Sequence, residues 1–548
     1  MKYQSTFLPI LVILLLSGWG VTLYTQVQSG RGAGEASIKQ VFDTILDRYV
    51  AEIDPEKLAD AAIVGMLHEL DPYSQHIDDN NSYRLDAITT GEYGGVGIHL
   101  GEMNDSLIVI SPMDGTPAFQ QGILAGDRIV KIDSVWTKKL DMDEAARMVR
   151  GEQGSLLKLL IKREGEHDFI EFELIREIIK IPDVSYSGLL RNRTGYVKLA
   201  NFSKYSAEDL EKAIRKMNQV KLEALIIDLR GNPGGLLSAA LMSADLFIEQ
   251  DELLLETRGR IDQSNKKYLS RRRPIVDKAL PIAILIDGGS ASASEILAGI
   301  LQDYDRAVVI GEPSFGKGLV QTVTRLSPDT RLKLTSAKYY LPSGRLIQKR
   351  EIAQDVMYED FLISTDTTFR SDNNRKFEGG GGVEPDIVAK DFPLSDLEQD
   401  LWRKRVFFKY ALEYGESHPG LALPIHFDES QVDSFYAWMS QRHLIPETKF
   451  NRWISDLDNV VDSTSSIYSD VLELRDALSE LGAVYQLEAF YDIKFQILAG
   501  LEREMANVLG GNGARIAASL NHDRVVLKAI EVLSSSSQVQ EILAGPRE

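Results

Sequence analysis

Three serines, Ser290-Ala-Ser292-Ala-Ser294-Glu295, follow the apolar run Pro281 to Ile286 and the turn Asp287-Gly288-Gly289. That order predicts a buried strand, a glycine turn and a helix start. A small hydroxyl at such a turn sits exposed at a helix N-terminus, where free N–H groups and the dipole favour developing negative charge. Nucleophile and oxyanion hole can then share one turn. The same letters also form a capping box, Ser292-x-x-Glu295, which by itself requires only a capped helix.

Further along, Ala307 to Gly311 reads as another buried strand, followed by Gly316-Lys317-Gly318-Leu-Val-Gln321. The chain has no cysteine, and its eight histidines stand at 68, 76, 99, 167, 418, 426, 443 and 522. Nothing between 168 and 417 can act as an imidazole or thiolate base. A serine nucleophile there needs a neutral lysine instead. Burial disfavours the ammonium form and lowers a lysine pKa toward the range where it accepts a proton; the rival is a solvated surface charge. Gln321 could orient the amine or simply lie on a strand surface. The segment nearly matches a phosphate-binding loop, Gly-x4-Gly-Lys-[Ser/Thr]. Position 318 is glycine, however, so the Mg²⁺-holding hydroxyl is missing, and Leu319 to Thr324 is β-branched where such a loop must open a helix.

The elements around these residues alternate. A strand over Gly195–Leu199, a helix over Ser206–Asn218, strands over Ala224–Leu229, Pro281–Ile286 and Ala307–Ile310, and helices after Gly235 and Ser294 imply an α/β core. Arg230-Gly-Asn-Pro-Gly234-Gly235 closes one of these strands, and only small residues there let backbone N–H groups approach a substrate carbonyl. Before the core, Ser37 to Asp86 has helical spacing interrupted by Asp54-Pro55 and Asp71-Pro72, a small helical cap. Gly94 to Glu177 reads as short strands, with one helix near Asp143 to Arg150. From Ser395 onward nearly every segment is helical, including Leu397–Tyr414 and Ser430–Arg442, which predicts a separate C-terminal helical domain.

At 548 residues and 44% hydrophobic composition the chain is large enough for three or four domains. Acidic residues outnumber basic ones 81 to 61, a net charge of −20 with no long basic cluster, which argues against a nucleic-acid partner. The run from Phe7 to about Tyr24, behind Met1-Lys2, is an export signal, either cleaved or kept as a tilted anchor.

The run Ser-Ala-Ser-Ala-Ser-Glu followed by Gly-Glu-Pro-Ser-Phe-Gly-Lys-Gly-Leu-Val-Gln resembles the active-site signature of the carboxyl-terminal processing, or tail-specific, proteases of the S41 serine peptidase family. The family's nucleophile and general-base lysine are 25 residues apart, and here 317 − 292 = 25, so the resemblance selects Ser292 over its neighbours and pairs it with Lys317. It places the assisting glutamine at Gln321 and an oxyanion hole at the backbone of Ala293 with Gly234 or Gly235. It extends to Ala224-Leu-Ile-Ile-Asp228-Leu-Arg230-Gly-Asn-Pro-Gly-Gly and Gly382-Val-Glu-Pro-Asp386, and implies a crotonase- and ClpP-like α/β protease core. Neither the C-terminal helical part nor the polar stretch 349–377, read as an insertion, is covered.

Gly94-Gly95-Val96-Gly97-Ile98, Ser111-Pro-Met-Asp-Gly-Thr-Pro117-Ala118 and Gly122-Ile-Leu-Ala-Gly126-Asp127 resemble a PDZ domain. Such domains bind a peptide C-terminus on loop N–H groups and pair it with a strand edge, which makes Gly95, Val96, Gly97 and Ile98 the candidates. Arg150, at the usual end of the PDZ helix, is placed to couple tail occupancy to the protease. The expected organisation is an export segment with linker (1–35), a helical region (36–90), a PDZ domain (91–180), the peptidase core (181–394) and a helical domain (395–548). Expected function is serine endopeptidase action on exported, periplasmic proteins with apolar C-termini, using no metal or organic cofactor. A membrane anchor and a homo-oligomer stay open. The rival is a catalytically idle PDZ scaffold on the same fold.

Overall fold

The computed structural model describes residues 32–103, 106–164, 166–327, 330–349, 368–391, 393–456 and 468–545. The expected export run and most of the 349–377 stretch lie outside these. The chain forms two compact units. Of the described residues, one contains those through Ser82 together with those of Gln321–Thr335; the other holds those of Tyr83–Val320 and those from Ser336 on.

The smaller unit contains a helix over residues 32–48 and a second over Pro55–His68, started by Pro55 and capped by Asp54, whose carboxylate accepts from Glu56 N–H at 2.9 Å. Strand Gln75–Ile77 pairs antiparallel with residues 331–333. Asp71 fixes the turn between helix and strand by accepting from the N–H groups of Tyr73 and Ser74.

In the larger unit, Ile98–Met103, Ser106–Pro112, Arg128–Ile132, Leu156–Lys162 and Ile170–Ile175 form an antiparallel sheet in that order, with helix Met142–Val149 closing over it. Val96, Val109, Ile129, Leu157 and Leu159 alternate inward to make its core. The expected α/β core is a second sheet ordered Val184–Leu189, Thr194–Leu199, Ala224–Asp228, Ile282–Ile286, Val308–Gly311 and Ile387–Val388, parallel after the first pair.

A parallel sheet must be buried on both faces. Helices Ser206–Asn218, Leu237–Ala244 and Ala293–Asp303 cover one face. The other is covered by the end of the chain: Val525, Val526, Ala529, Val532 and Leu533 pack on Tyr196, Ala224, Ile226, Ala283, Leu285, Val308 and Ile310. The helical region is therefore not fully separate. Its own core, built on Phe407, Tyr410, Phe435, Phe490 and Leu501, is distinct, but helix Arg524–Leu533 packs on the parallel sheet. The single helix expected over Leu397–Tyr414 is two, Asp396–Arg403 and Val406–Ser417. They break at Arg405, which has φ +52° and donates through Nε to Glu102 O at 3.1 Å.

Candidate active site

Strand Ile282–Ile286 is buried throughout, as is helix Ala293–Asp303. Ser292 joins the turn to the helix at φ +53°, ψ −108°, a conformation an L-residue adopts only when its surroundings over-determine it. Those surroundings are hydrogen bonds to the neighbouring glycine loop. Gly231 N–H donates to Asp287 Oδ1 at 2.8 Å, Ser290 Oγ to Leu229 O at 2.9 Å, Ala291 N–H to Asn232 O at 3.1 Å and Ser294 Oγ to Asn232 O at 2.9 Å. Ser290 and Ser294 are fully buried and their hydroxyls are committed to carbonyls, whereas Ser292 is only partly buried.

The glycine loop lies directly against this turn. A Cβ on Gly234, at φ +99°, would stand 2.7 Å from Ala291 O and 2.9 Å from Ala293 N, so only glycine fits. Its N–H donates to Asn232 Oδ1 at 2.9 Å. Around Gly235, Phe202 N–H donates to Gly234 O and Leu236 N–H to Phe202 O; neither bond uses the Gly235 N–H.

Glu295 has a larger role than the cap that its spacing predicts. Its side chain is fully buried. Oε2 accepts from Ser292 N–H at 2.7 Å and Lys317 N–H at 2.9 Å, while Oε1 accepts from Gly316 N–H and Ser314 Oγ, both at 2.6 Å. Burial pushes the carboxyl up to about 6, against the pull of these four donors. Tyr339, also buried, donates its hydroxyl to Lys317 O at 2.6 Å, with Ser292 O at 3.4 Å. One carboxylate and one phenol thus hold the serine and lysine turns together. Lys317 is partly buried. Leu319–Arg325 is a strand, unlike the helix a phosphate-binding loop needs.

Gln321 belongs to the smaller unit, where its Nε2 donates to Thr335 Oγ1 at 3.4 Å and that hydroxyl donates to Asp71 Oδ1 at 2.9 Å. In the PDZ-like part, Val96, Gly97, Ile98 and Leu100 face Met142 and Val149 across a groove of about 510 Å³. Gly95 lies in strand Glu92–Gly95, just before this groove. Arg150 ends the helix on the groove's far side, its guanidinium 5.7 Å from the Tyr83 ring and 6.0 Å from that of Tyr93.

Sequence reasoning missed the group behind the glycine loop. Asp228, 1% exposed, accepts from Tyr196 Oη at 2.7 Å, Lys198 Nζ at 3.1 Å and Arg230 Nη2 at 2.7 Å. Burial raises its pKa, but the Arg230 and Lys198 charges outweigh that and hold it well below the usual carboxylate range.

Peptidase family S41 matches residues 193–358, a PDZ domain 108–163, the C-terminal helical domain of a probable PDZ-protease 397–533, and the N-terminal domain of the activating protease CtpB 24–81. A carboxy-terminal-processing protease of Bartonella bacilliformis is 40% identical over 331 residues, 60% of this chain and 75% of that protein. The chain belongs to peptidase family S41. Carboxy-terminal processing proteases CtpB and CtpA of Bacillus subtilis are 33% and 30% identical, over 60% and 68% of this S41 chain and 68% and 82% of their own lengths. The expected order of parts holds: this S41 peptidase is a carboxy-terminal processing serine protease with an N-terminal CtpB-like part, a PDZ domain, the S41 core and a C-terminal helical region.

Proposed function

We propose that the protein cleaves exported proteins near their C-termini with Ser292 as nucleophile and Lys317 as general base. The observation that carries this reading is the convergence of the Ser292 and Lys317 backbones on Glu295 Oε2. Neutral Lys317 takes the Ser292 hydroxyl proton as Oγ bonds to the scissile carbonyl carbon. The oxyanion rests on the N–H groups of Ala293 and Gly235; Gly235 is preferred over Gly234, whose N–H serves Asn232. Collapse breaks the C–N bond, the leaving amine takes the proton, and water then releases the acyl group. The loop from Gly95 to Ile98 holds the free C-terminus of the substrate, and Arg150 relays that occupancy to the core. The apolar run behind Met1-Lys2 carries the chain out of the cytoplasm, toward a periplasmic site of action.

The purified protein, incubated with an unstructured protein bearing an apolar tail, is expected to yield fragments cut near the C-terminus, by mass spectrometry, and Ser292→Ala is expected to yield none. Cleavage by Ser292→Ala at the wild-type rate would overturn the assignment.

A further inference from the structure

Arg230 is held from two sides. Towards the protease sheet it bonds Asp228, through Nε at 3.1 and 3.2 Å and through Nη2 at 2.7 Å. Towards the end of the chain it forms a bidentate pair with Asp523, Nη1 to Oδ1 at 3.1 Å and Nη2 to Oδ2 at 2.7 Å. Both members of that pair are about 85% buried, with side-chain exposures of 16% and 15%, and a buried fork-to-carboxylate contact fixes orientation as well as charge. Asp523 is itself immobilised. It caps helix Arg524–Leu533, accepting from Val525 and Val526 N–H at 3.0 Å each, and that helix is packed on the sheet through five apolar residues.

Arg230 stands at the start of the loop that ends in Gly234 and Gly235. Its carbonyl accepts from Lys198 Nζ at 2.6 Å, its N–H donates to Asp228 Oδ1 at 2.9 Å, and the next N–H, of Gly231, goes to Asp287 on the serine turn. We infer that Asp523 is a positioning residue for peptide hydrolysis, acting through Arg230 to fix the glycine loop against Ser292. The C-terminal helical region is on this account part of the catalytic frame and not only a cover for the sheet. The two anions Asp228 and Asp523 balance the two cations Arg230 and Lys198. Without Asp523, Arg230 keeps only its hold on Asp228 and loses the bidentate contact that ties the start of the loop to helix Arg524–Leu533. This inference rests on the serine and lysine reading above.

The test separates charge from capping, since Asn caps a helix as well as Asp does. Full-length Asp523→Asn keeps the cap and loses the ion pair. Its kcat, measured well below the melting range, is expected to fall about tenfold, with KM within about twofold, because the loop acts on the transition state more than on substrate binding; Tm should fall with the loss of the buried pair. In an Arg230→Lys background, where the bidentate geometry is already lost, Asp523→Asn is expected to have no further effect. Wild-type kcat in Asp523→Asn, or a loss that multiplies fully with that of Arg230→Lys, would overturn the inference. Ser292→Ala assayed beside them keeps the two readings distinct. Activity there defeats the nucleophile assignment, whereas an inactive Ser292→Ala with a fully active Asp523→Asn defeats the role of Asp523 alone.

Discussion

Ser292 and Lys317, 25 residues apart in the chain, donate their backbone N–H groups to the same oxygen, Oε2 of Glu295, at 2.7 and 2.9 Å. A residue at φ +53° is held there by what surrounds it, and here the surroundings include the backbone of the lysine itself. One carboxylate oxygen therefore ties the serine turn to the lysine turn.

Replacing Glu295 with Gln tests this coupling. An amide offers one acceptor oxygen where four donors need two, and its NH₂ group opposes N–H or O–H groups. The Glu295→Gln protein is expected to lose on the order of tenfold to a hundredfold in kcat while remaining folded by circular dichroism. Unchanged kcat would show that the shared carboxylate does not position the pair.

The same residue gives a pH signature in stability. Its carboxyl, raised to about 6 in the folded protein from an ordinary 4.5, binds a proton more readily folded than unfolded. Its contribution to stability is thus fully present below about 4.5 and is lost as pH rises through 6. Urea unfolding between pH 4.5 and 7 should show the wild type losing on the order of 2 kcal/mol that Glu295→Gln does not lose. Parallel curves for the two proteins would contradict the raised carboxyl.

Two glycines of one loop should respond differently to alanine. At Gly234 a Cβ meets the Ala291 carbonyl at 2.7 Å, while at Gly231, φ +67°, nothing lies within 4 Å. Gly234→Ala is expected to lower kcat at least about a hundredfold by displacing the serine turn. Gly231→Ala should cost about 1 kcal/mol of stability, the strain of its backbone, and keep most of the activity. Equal activities in the two variants would show that contact with the serine turn does not matter.

The protease core was readable in the sequence where the signal is local. Helix Ser206–Asn218 appears with the bounds expected from the strand and helix alternation, and the buried strands follow from short apolar runs closed by glycine turns. Glu295 was legible only as a cap, because the three-residue spacing reveals a local bond and not the bonds it makes to residues 314–317. The pairing of Arg230 with Asp523 spans 293 positions, and no local pattern announces it. The apolar stripe of helix Arg524–Leu533 shows that the helix has a buried face without showing which surface it covers.

Tail recognition predicts a dependence on the terminal carboxylate. Backbone N–H groups at the groove beside Val96, Gly97 and Ile98 can bind a carboxylate but gain little from an amide. A peptide with a free apolar C-terminus should be cleaved with a KM about tenfold below that of its amidated twin. The difference should fade at saturating substrate. Equal KM values would remove tail binding from this groove.

The most direct test of the account is single-turnover cleavage quenched in acid and read by mass spectrometry. Wild-type protein is expected to carry the acyl mass of the substrate's N-terminal fragment on the peptide containing Ser292. In Lys317→Ala the rate of its appearance should fall by at least about a thousandfold, since the nucleophile loses its base. An adduct on any other residue, or one forming at the wild-type rate without Lys317, would contradict the Ser292 and Lys317 assignment.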